Sequence, residues 1–376
     1  MKHSPRISFR LSAAITLALS SLFTAPLAHA EMEGATVVRY YSDNQNTTVL
    51  SPAIELGSTF NEDRMKIVLH AAQDILSSAS SEVRTYSSKG VITDLRNEYQ
   101  VNYETQIPDG TLSAGFIASD EKDYSSRAIS AGGTREFFTK NTVVGFGFSS
   151  GQDKIMATGN SNFLEHMQNQ SYSISLSQIL SKNSLIQVLY DFRVENGFIA
   201  SPYRKAKLIT GTTVSALDEN HPRTRNRHAI GMKYNVFRPG WKSSFATSYR
   251  LYQDSWGVLS HTLEERITKE YGRKFEVALS LRFYLQSKAK FYQDYYRGDP
   301  GVFYSGNNTL ATYMSYGAGL RPAWNLTEKI NLALKLEYFA QNFKDATDAG
   351  NLSTLDDDKP LAISAFVVGL GLTAKF

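Results

Sequence analysis

From Phe275 to Leu285 every second side chain is apolar: Phe275, Val277, Leu279, Leu281, Phe283 and Leu285 on one side, Glu276, Ala278, Ser280, Arg282 and Tyr284 on the other. Successive side chains of a strand point to opposite faces, so a period of two dictates a strand with one apolar and one polar face. The pattern recurs in Ile330, Leu332, Leu334, Leu336 and Tyr338 against Asn331, Ala333, Lys335, Glu337 and Gln341. It recurs in Ile186, Val188, Tyr190, Phe192 and Val194 against Gln187, Asp191, Arg193 and Glu195. Two further stretches follow it, His228 to Val236 and Leu95 to Tyr103. The chain ends on AFVVGLGLTAKF, where Phe366, Val368, Leu370, Leu372, Ala374 and Phe376 share one face.

Periodicity alone does not separate a soluble sandwich from a barrel that turns its apolar face to lipid. Three further features favour the barrel. The first 30 residues have a basic start (Lys2, Arg6, Arg10), an apolar stretch from Leu11 to Leu27 and the small-residue site Ala28-His29-Ala30, the pattern of a secretory signal peptide cleaved before Glu31. With no cysteine there is neither a lipoprotein acylation site nor a disulfide. Mean hydropathy is −0.30, and no apolar run after Leu27 is long enough for a transmembrane helix, yet the chain carries 21 Tyr and 21 Phe. Strands that alternate lipid-facing and lumen-facing residues reconcile these facts, because no window then looks hydrophobic.

Connection lengths point the same way. Tight-turn clusters fall at Asn61-Glu62-Asp63, Ile107 to Gly110, Thr139 to Asn141, Ser181 to Ser184, Arg238-Pro239-Gly240, Tyr271-Gly272-Arg273 and Asn325 to Lys329. Longer or more polar connections interleave with them, at 43–47, 75–91, 119–123, 150–169, 197–224, 253–257, 289–308 and 343–360. The expected fold is all-β: one transmembrane antiparallel barrel over residues 31–376, of about sixteen strands, with weak strands at 36–42 and 124–136. An even count puts both termini on one side, the periplasmic one. In lipid every backbone polar group must be paired, so the last strand has to close on the first, around Thr36 to Ser42. Terminal Phe376, Ala374 and Gly371 resemble the signal by which outer-membrane barrels are recognised by the barrel-assembly machinery.

The chain also resembles a Gram-negative family defined only as a domain of unknown function, whose members are predicted outer-membrane barrels. SPAIEL (51–56), SSAS (77–80), ASPYR (200–204), HPRTRNRHAIG (221–231) and YRLYQDSWGVLSHTLE (249–264) carry the resemblance. It implies location and architecture and brings no catalytic residues with it.

The polar phase mixes signs: Arg96, Arg193, Arg250, Arg282 and Lys335 with Glu98, Glu104, Asp191, Glu276 and Glu337. Opposed clusters across a wide lumen would impose a transverse field on a solute, whereas neighbouring pairs would only fill a wet interior. The 197–227 segment holds Arg204, Lys205, Lys207, Arg223, Arg225 and Arg227. It can fold into the pore and favour anions, bind acidic groups of lipopolysaccharide, or stay solvated. KFYQDYYRGDPGVFY, 290–304, offers rings for stacking on solutes or for the interfacial girdle.

Other chemistry has little support. The chain has 40 Lys and Arg, three of them in the leader, against 36 Asp and Glu, a balance that argues against nucleic acid. GFGFSSG, 145–151, leads into no helix and is no phosphate loop, and no zinc, haem or CxxC motif is present, so no cofactor is expected. Asp356-Asp357-Asp358 suits calcium or, more simply, a solvated turn. His261 and Glu265 share the apolar phase of Leu259, Leu263 and Ile267, but residues four apart on a strand stand about 13 Å apart, too far for a catalytic dyad. Porin-like passage of small solutes is the leading expectation. A non-conducting barrel that sheathes a periplasmic or surface partner and a lipid-modifying barrel enzyme remain its rivals. Outer-membrane lipid is an expected contact, and homo-oligomers are compatible with the pattern.

Overall fold

The computed structural model describes residues 31–78, 92–347 and 360–376; the leader, most of the 75–91 connection and the acidic triplet 356–358 lie outside them. Nine strands occupy the first half: β1 (Glu31–Asp43), β2 (Thr47–Phe60), β3 (Met65–Ser78), β4 (Ile92–Ile107), β5 (Gly110–Asp120), β6 (Tyr124–Phe137), β7 (Thr142–Ala157), β8 (Asn160–Ser181) and β9 (Ser184–Gly197). A short hairpin follows, β10 (Lys205–Thr210) and β11 (Thr213–Asp218). Then come β12 (Thr224–Arg238), β13 (Ser243–Asp254), β14 (Leu259–Tyr271), β15 (Phe275–Gln286), the short β16 (Tyr295–Arg297), β17 (Tyr313–Asn325), β18 (Ile330–Thr347) and β19 (Pro360–Lys375).

All but β10, β11 and β16 close into one antiparallel barrel, whose sixteen strands follow chain order and whose seam is β1 on β19. Glu33 pairs with Lys375 and Asp43 with Ala365, so the two terminal strands share a full ladder. Closure leaves no open edge, which lipid would penalise at several kcal/mol per unsatisfied group. Phe376 donates its backbone N–H to the Met32 carbonyl (2.8 Å), and its ring is exposed on the outer surface at the end of the apolar face.

The alternation predicted from sequence is the barrel's inside and outside. Leu281, Ile174 and Phe146 are exposed on the outer surface, while Arg282, Ser175 and Gly147 of the same strands face the lumen. Outward rings collect near the short-turn rim, where Trp241 meets Phe245 and Phe275 meets Trp324, with centroids 6.0 and 5.3 Å apart, as an interfacial girdle requires.

All seven tight turns fall where the turn residues place them, on the rim that also carries both strand termini of the seam. Several use left-handed backbone: Asn61, Glu62 and Asp63 have φ of 57°, 55° and 62°, and Gly272 has 71°. One connection is corrected. Residues 150–169 are not a loop, since β7 continues to Ala157 and β8 resumes at Asn160 around a two-residue turn. There Gln152, His166, Gln168 and Gln170 face outward, so the strands have lost their apolar phase without losing their pairing.

Candidate functional site

The lumen has two unlike walls. On β5 to β8 the inward positions are small: Ser113, Ser130, Gly132, Gly147, Ser173 and their neighbours border a hollow of about 420 Å³. These residues interlock. A Cβ on Gly147 would lie 2.6 Å from Ser173 Oγ, and one on Gly115 2.6 Å from Ser130 Oγ. GFGFSSG therefore serves as a strand that keeps this wall thin.

The second wall, which starts one strand beyond β8 and comprises β12 to β15 with β18, projects long cationic arms into a cavity of about 1020 Å³. Arg225, Arg227, Lys233, Arg250, Arg266 and Arg282 line it together with Lys335, against only Glu264 and Glu337. Four of the cations are neutralised locally. Arg225 Nη2 lies 2.5 Å from Asp254 Oδ2, a carboxylate that is completely buried, and Arg227 Nη2 lies 2.6 Å from Glu195 Oε2. Arg266 pairs with Glu264 at 3.2 Å and Lys335 with Glu337 at 2.8 Å. Lys233, Arg250 and Arg282 join no ion pair among the described residues; Arg250 and Arg282 lie over the rings of Tyr252 and Tyr284, at 5.6 and 5.9 Å.

The other charged lumen positions are mostly paired across or along neighbouring strands. Glu98 holds Arg96 at 2.6 Å, Glu195 is shared between Arg193 and Arg227, and Asp191 and Glu104 border the small-residue wall. Glu276 pairs with Arg321 at 2.8 Å. Local pairing is therefore widespread, and within the larger cavity Lys233, Arg250 and Arg282 are the cations that join no ion pair among the described residues. At the long-loop rim the carboxylates of Asp94, Glu121 and Asp123 lie within 4.8 Å of one another, as cation ligands can. Burial, with Asp94 beside it, raises the Glu121 pKa, but Asp123 already accepts hydrogen bonds from Tyr203 and Thr158.

A roof covers the cationic wall at the same rim. Residues 287–312 fold inward, and Tyr292, Leu310 and Ala311 pack with Trp256 and Val258 of the β13–β14 connection against Phe343 and Leu361 of the barrel. Gln286 Nε2 donates to the carbonyls of Thr309 and Ala311 at 2.8 and 2.9 Å. Asp254 completes the anchor, accepting from Tyr252 OH (2.8 Å) and from the Val258 backbone N–H (3.0 Å). The expectation for 290–304 is corrected: Tyr292 and Tyr296 are buried in the roof, neither presented to solutes nor placed in the girdle.

The expectation for 197–227 is also corrected. Arg225 and Arg227 belong to β12 and face the lumen as strand residues, while Arg223, just before it, is held by Glu165 at 2.8 Å on the exposed surface. Arg204 precedes β10, and the β10–β11 hairpin pairs with β16 in a separate three-stranded sheet, Lys207 lying 4.8 Å over Tyr295. His261 and Glu265 do face outward, in separate contacts: Tyr249 OH with His261 Nδ1 at 2.7 Å, and Thr247 Oγ1 donating to Glu265 at 2.8 Å. Gly371 faces inward between Val37 and Ala333, and Ala374 lies opposite Gly34 and Ile330.

Lys233 and Asp254 were missed by the sequence reading, and Glu195 was read on the polar face without its role between Arg193 and Arg227. The signal for Lys233 was its phase, opposite Met232 and Tyr234; nothing local marks Asp254 as an anchor.

A closed sixteen-stranded barrel with an apolar outer face, a charged interior and an aromatic rim is an outer-membrane β-barrel. The chain belongs to the family described as "Protein of unknown function (DUF3570)", which it matches over residues 8–174 and 164–356. No functionally curated protein matches it in sequence. Among solved structures it is similar to a bacterial polysaccharide outer membrane secretin, with TM-score 0.51 and 10% identity over 92% of this chain and 98% of that one. It is also similar to OmpT of Vibrio cholerae (TM-score 0.45, 8% identity, 92% and 97% covered) and to OccK1 of Pseudomonas aeruginosa (TM-score 0.45, 8% identity, 92% and 99% covered).

Proposed function

We propose that the barrel provides porin-like passive passage for small hydrophilic solutes across the bacterial outer membrane, with both termini and the short turns in the periplasm. The observation that carries this reading is the lumen itself, in which a thin wall of Gly and Ser adjoins a cavity of about 1020 Å³ lined by charged side chains. A barrel built only as an anchor has no need of such a hollow. Pairs such as Arg266 with Glu264 and Lys335 with Glu337 stay partly solvated, which is the condition for a hydrated solute to exchange its water shell for protein groups. Short turns belong to the periplasmic side of outer-membrane barrels, and the long loops, with Lys207 and Arg223, then meet lipopolysaccharide.

The roof favours a second reading, a non-conducting barrel that positions a partner, because a packed core covers part of the mouth. Planar-bilayer recordings of the barrel purified from outer membranes separate the two. Stepwise conductance supports passage. Silence from a barrel shown to be folded by its heat-dependent electrophoretic mobility overturns passage and directs the search to copurifying partners.

A further inference from the structure

We propose that Arg250, Arg282 and Lys233 form an anion-binding site inside the lumen, which selects solutes bearing a carboxylate or phosphate group. The site rests on the passage reading and adds the chemical class of the solute. Three observations place it. The cavity's cations outnumber its carboxylates, and after Asp254, Glu195, Glu264 and Glu337 have taken their partners these three join no ion pair among the described residues. They are also neighbours on one wall. Gly231 pairs with Arg250 across β12 and β13, so Lys233 stands one inward step along from Arg250's partner, and Arg250 pairs with Thr262, which pairs with Tyr284 next to Arg282. The two arginines are thus separated by the single strand β14, about 10 Å sideways, a span their side chains can close around one oxyanion.

Thirdly, the surroundings leave room. Gly231 has nothing within 4 Å of a Cβ position, and Thr262, Ser248 and Ser260 add hydroxyls to the same cavity. Carboxylates do face these cations. Glu264 pairs in register with Arg282 but is held by Arg266, and Asp191, opposite Ala229 and two strands from Arg250, feels the Arg250 charge without coming within ion-pair distance. Tyr252 and Tyr284 lie beneath the guanidinium groups. Guanidinium groups bind oxyanions through paired, charge-assisted hydrogen bonds, and a lumen with low-dielectric walls concentrates the attraction.

The test uses the purified barrel, inorganic phosphate as the probe, and the R250Q/R282Q and R250K/R282K variants, each checked for folded mobility. In a KCl gradient the reversal potential of the native channel is expected on the anion side. Phosphate should interrupt its current, with R250Q/R282Q needing about tenfold more phosphate for the same block. R250K/R282K keeps the anion preference while binding phosphate more weakly, because lysine lacks the planar fork. A channel that conducts with the same ion preference and phosphate sensitivity in native and R250Q/R282Q forms overturns the site and leaves passage standing. If the folded barrel is silent, passage falls and calorimetry decides the site. Phosphate binding weakened about tenfold in R250Q/R282Q supports it, and absent or unchanged binding overturns it.

Discussion

The two walls of the lumen are built from the same strand geometry and solve opposite problems. On β5 to β8 the inward side chains are so small that neighbouring strands lock through Ser hydroxyls against Gly backbone, and the wall contributes space. On β12 to β15 the inward side chains are long and charged, and the wall contributes chemistry, at the cost of needing buried carboxylates to hold it in order. The contrast teaches that a barrel interior is set wall by wall. The backbone ladder supplies stability all round, which leaves lumen positions free to vary from wall to wall.

The sharpest way to break the comparison is to remove the anchor of the cationic wall. Asp254 is buried and binds Arg225, Tyr252 and the Val258 backbone at once. Asp254→Ala strands a nearly buried guanidinium, a loss of about 3–5 kcal/mol in comparable buried pairs. Because the barrel ladder does not depend on Asp254, the loss should fall on the roof. Limited proteolysis should cut within 287–312 in the variant and spare the native chain, while the barrel core stays resistant. Equal resistance in both would show that the roof is held without this carboxylate.

A second break comes from pH. Burial, with Asp294, Asp345, Tyr296 and Glu219 around it, pushes the Tyr292 phenol far above its ordinary value. An undocked roof would ionise near about 10, the docked one only well above that. Docking is therefore at full strength below about 10 and weakens as pH climbs beyond it. Protease sensitivity of 287–312 should rise above that pH in the native chain and rise less in Tyr292→Phe. An identical pH profile in the two would remove Tyr292 as the cause.

How much of this was legible beforehand follows from where water and lipid act. Alternation at 275–285 and 330–338 is strong because lipid demands an apolar residue at every second position in the spanning band. Turns such as Asn61 to Asp63 are legible because left-handed backbone favours few residue types. Above the lipid band that demand ends, so the strand extensions around Glu165 to Gln170 read as loop although they pair fully. The roof was illegible for a related reason. Tyr313, Phe343 and Ile363 are inward-facing apolar residues, a break in the apolar-out pattern that has meaning only once 287–312 is seen to cover them. Arg250 and Arg282 were legible as lumen cations from phase alone, but which cations lack partners depends on strand register, which no single strand encodes.

Lipid-facing Glu265 offers a smaller effect. It lies on the outward face, between Leu263 and Ile267, with Thr247 as its hydrogen-bond donor. Carboxylates on the lipid face destabilise barrels, less than the 2–4 kcal/mol of a midplane Lys or Arg, so Glu265→Leu should stabilise by about 1 kcal/mol. The measurement is the urea midpoint in lipid vesicles. A lower midpoint would mean that this face is covered by something other than lipid, a second copy being the simplest candidate.

The smallest expected change in stability carries the most information about the thin wall. Ser173 packs over Gly147 on one side and faces Asp191 on the other, and its side chain borders the open hollow. Ser173→Leu breaks no ion pair, so the unfolding free energy from urea titration should change by no more than about 0.5 kcal/mol. Single-channel conductance should nevertheless fall, because a branched side chain now stands where the wall had kept its narrowest profile. If conductance is unchanged, solutes pass elsewhere and the Gly and Ser wall is only a packing device. If stability falls steeply as well, the interlock between Gly147 and Ser173 holds the barrel together, and the division of labour between the two walls is less complete than their side chains suggest.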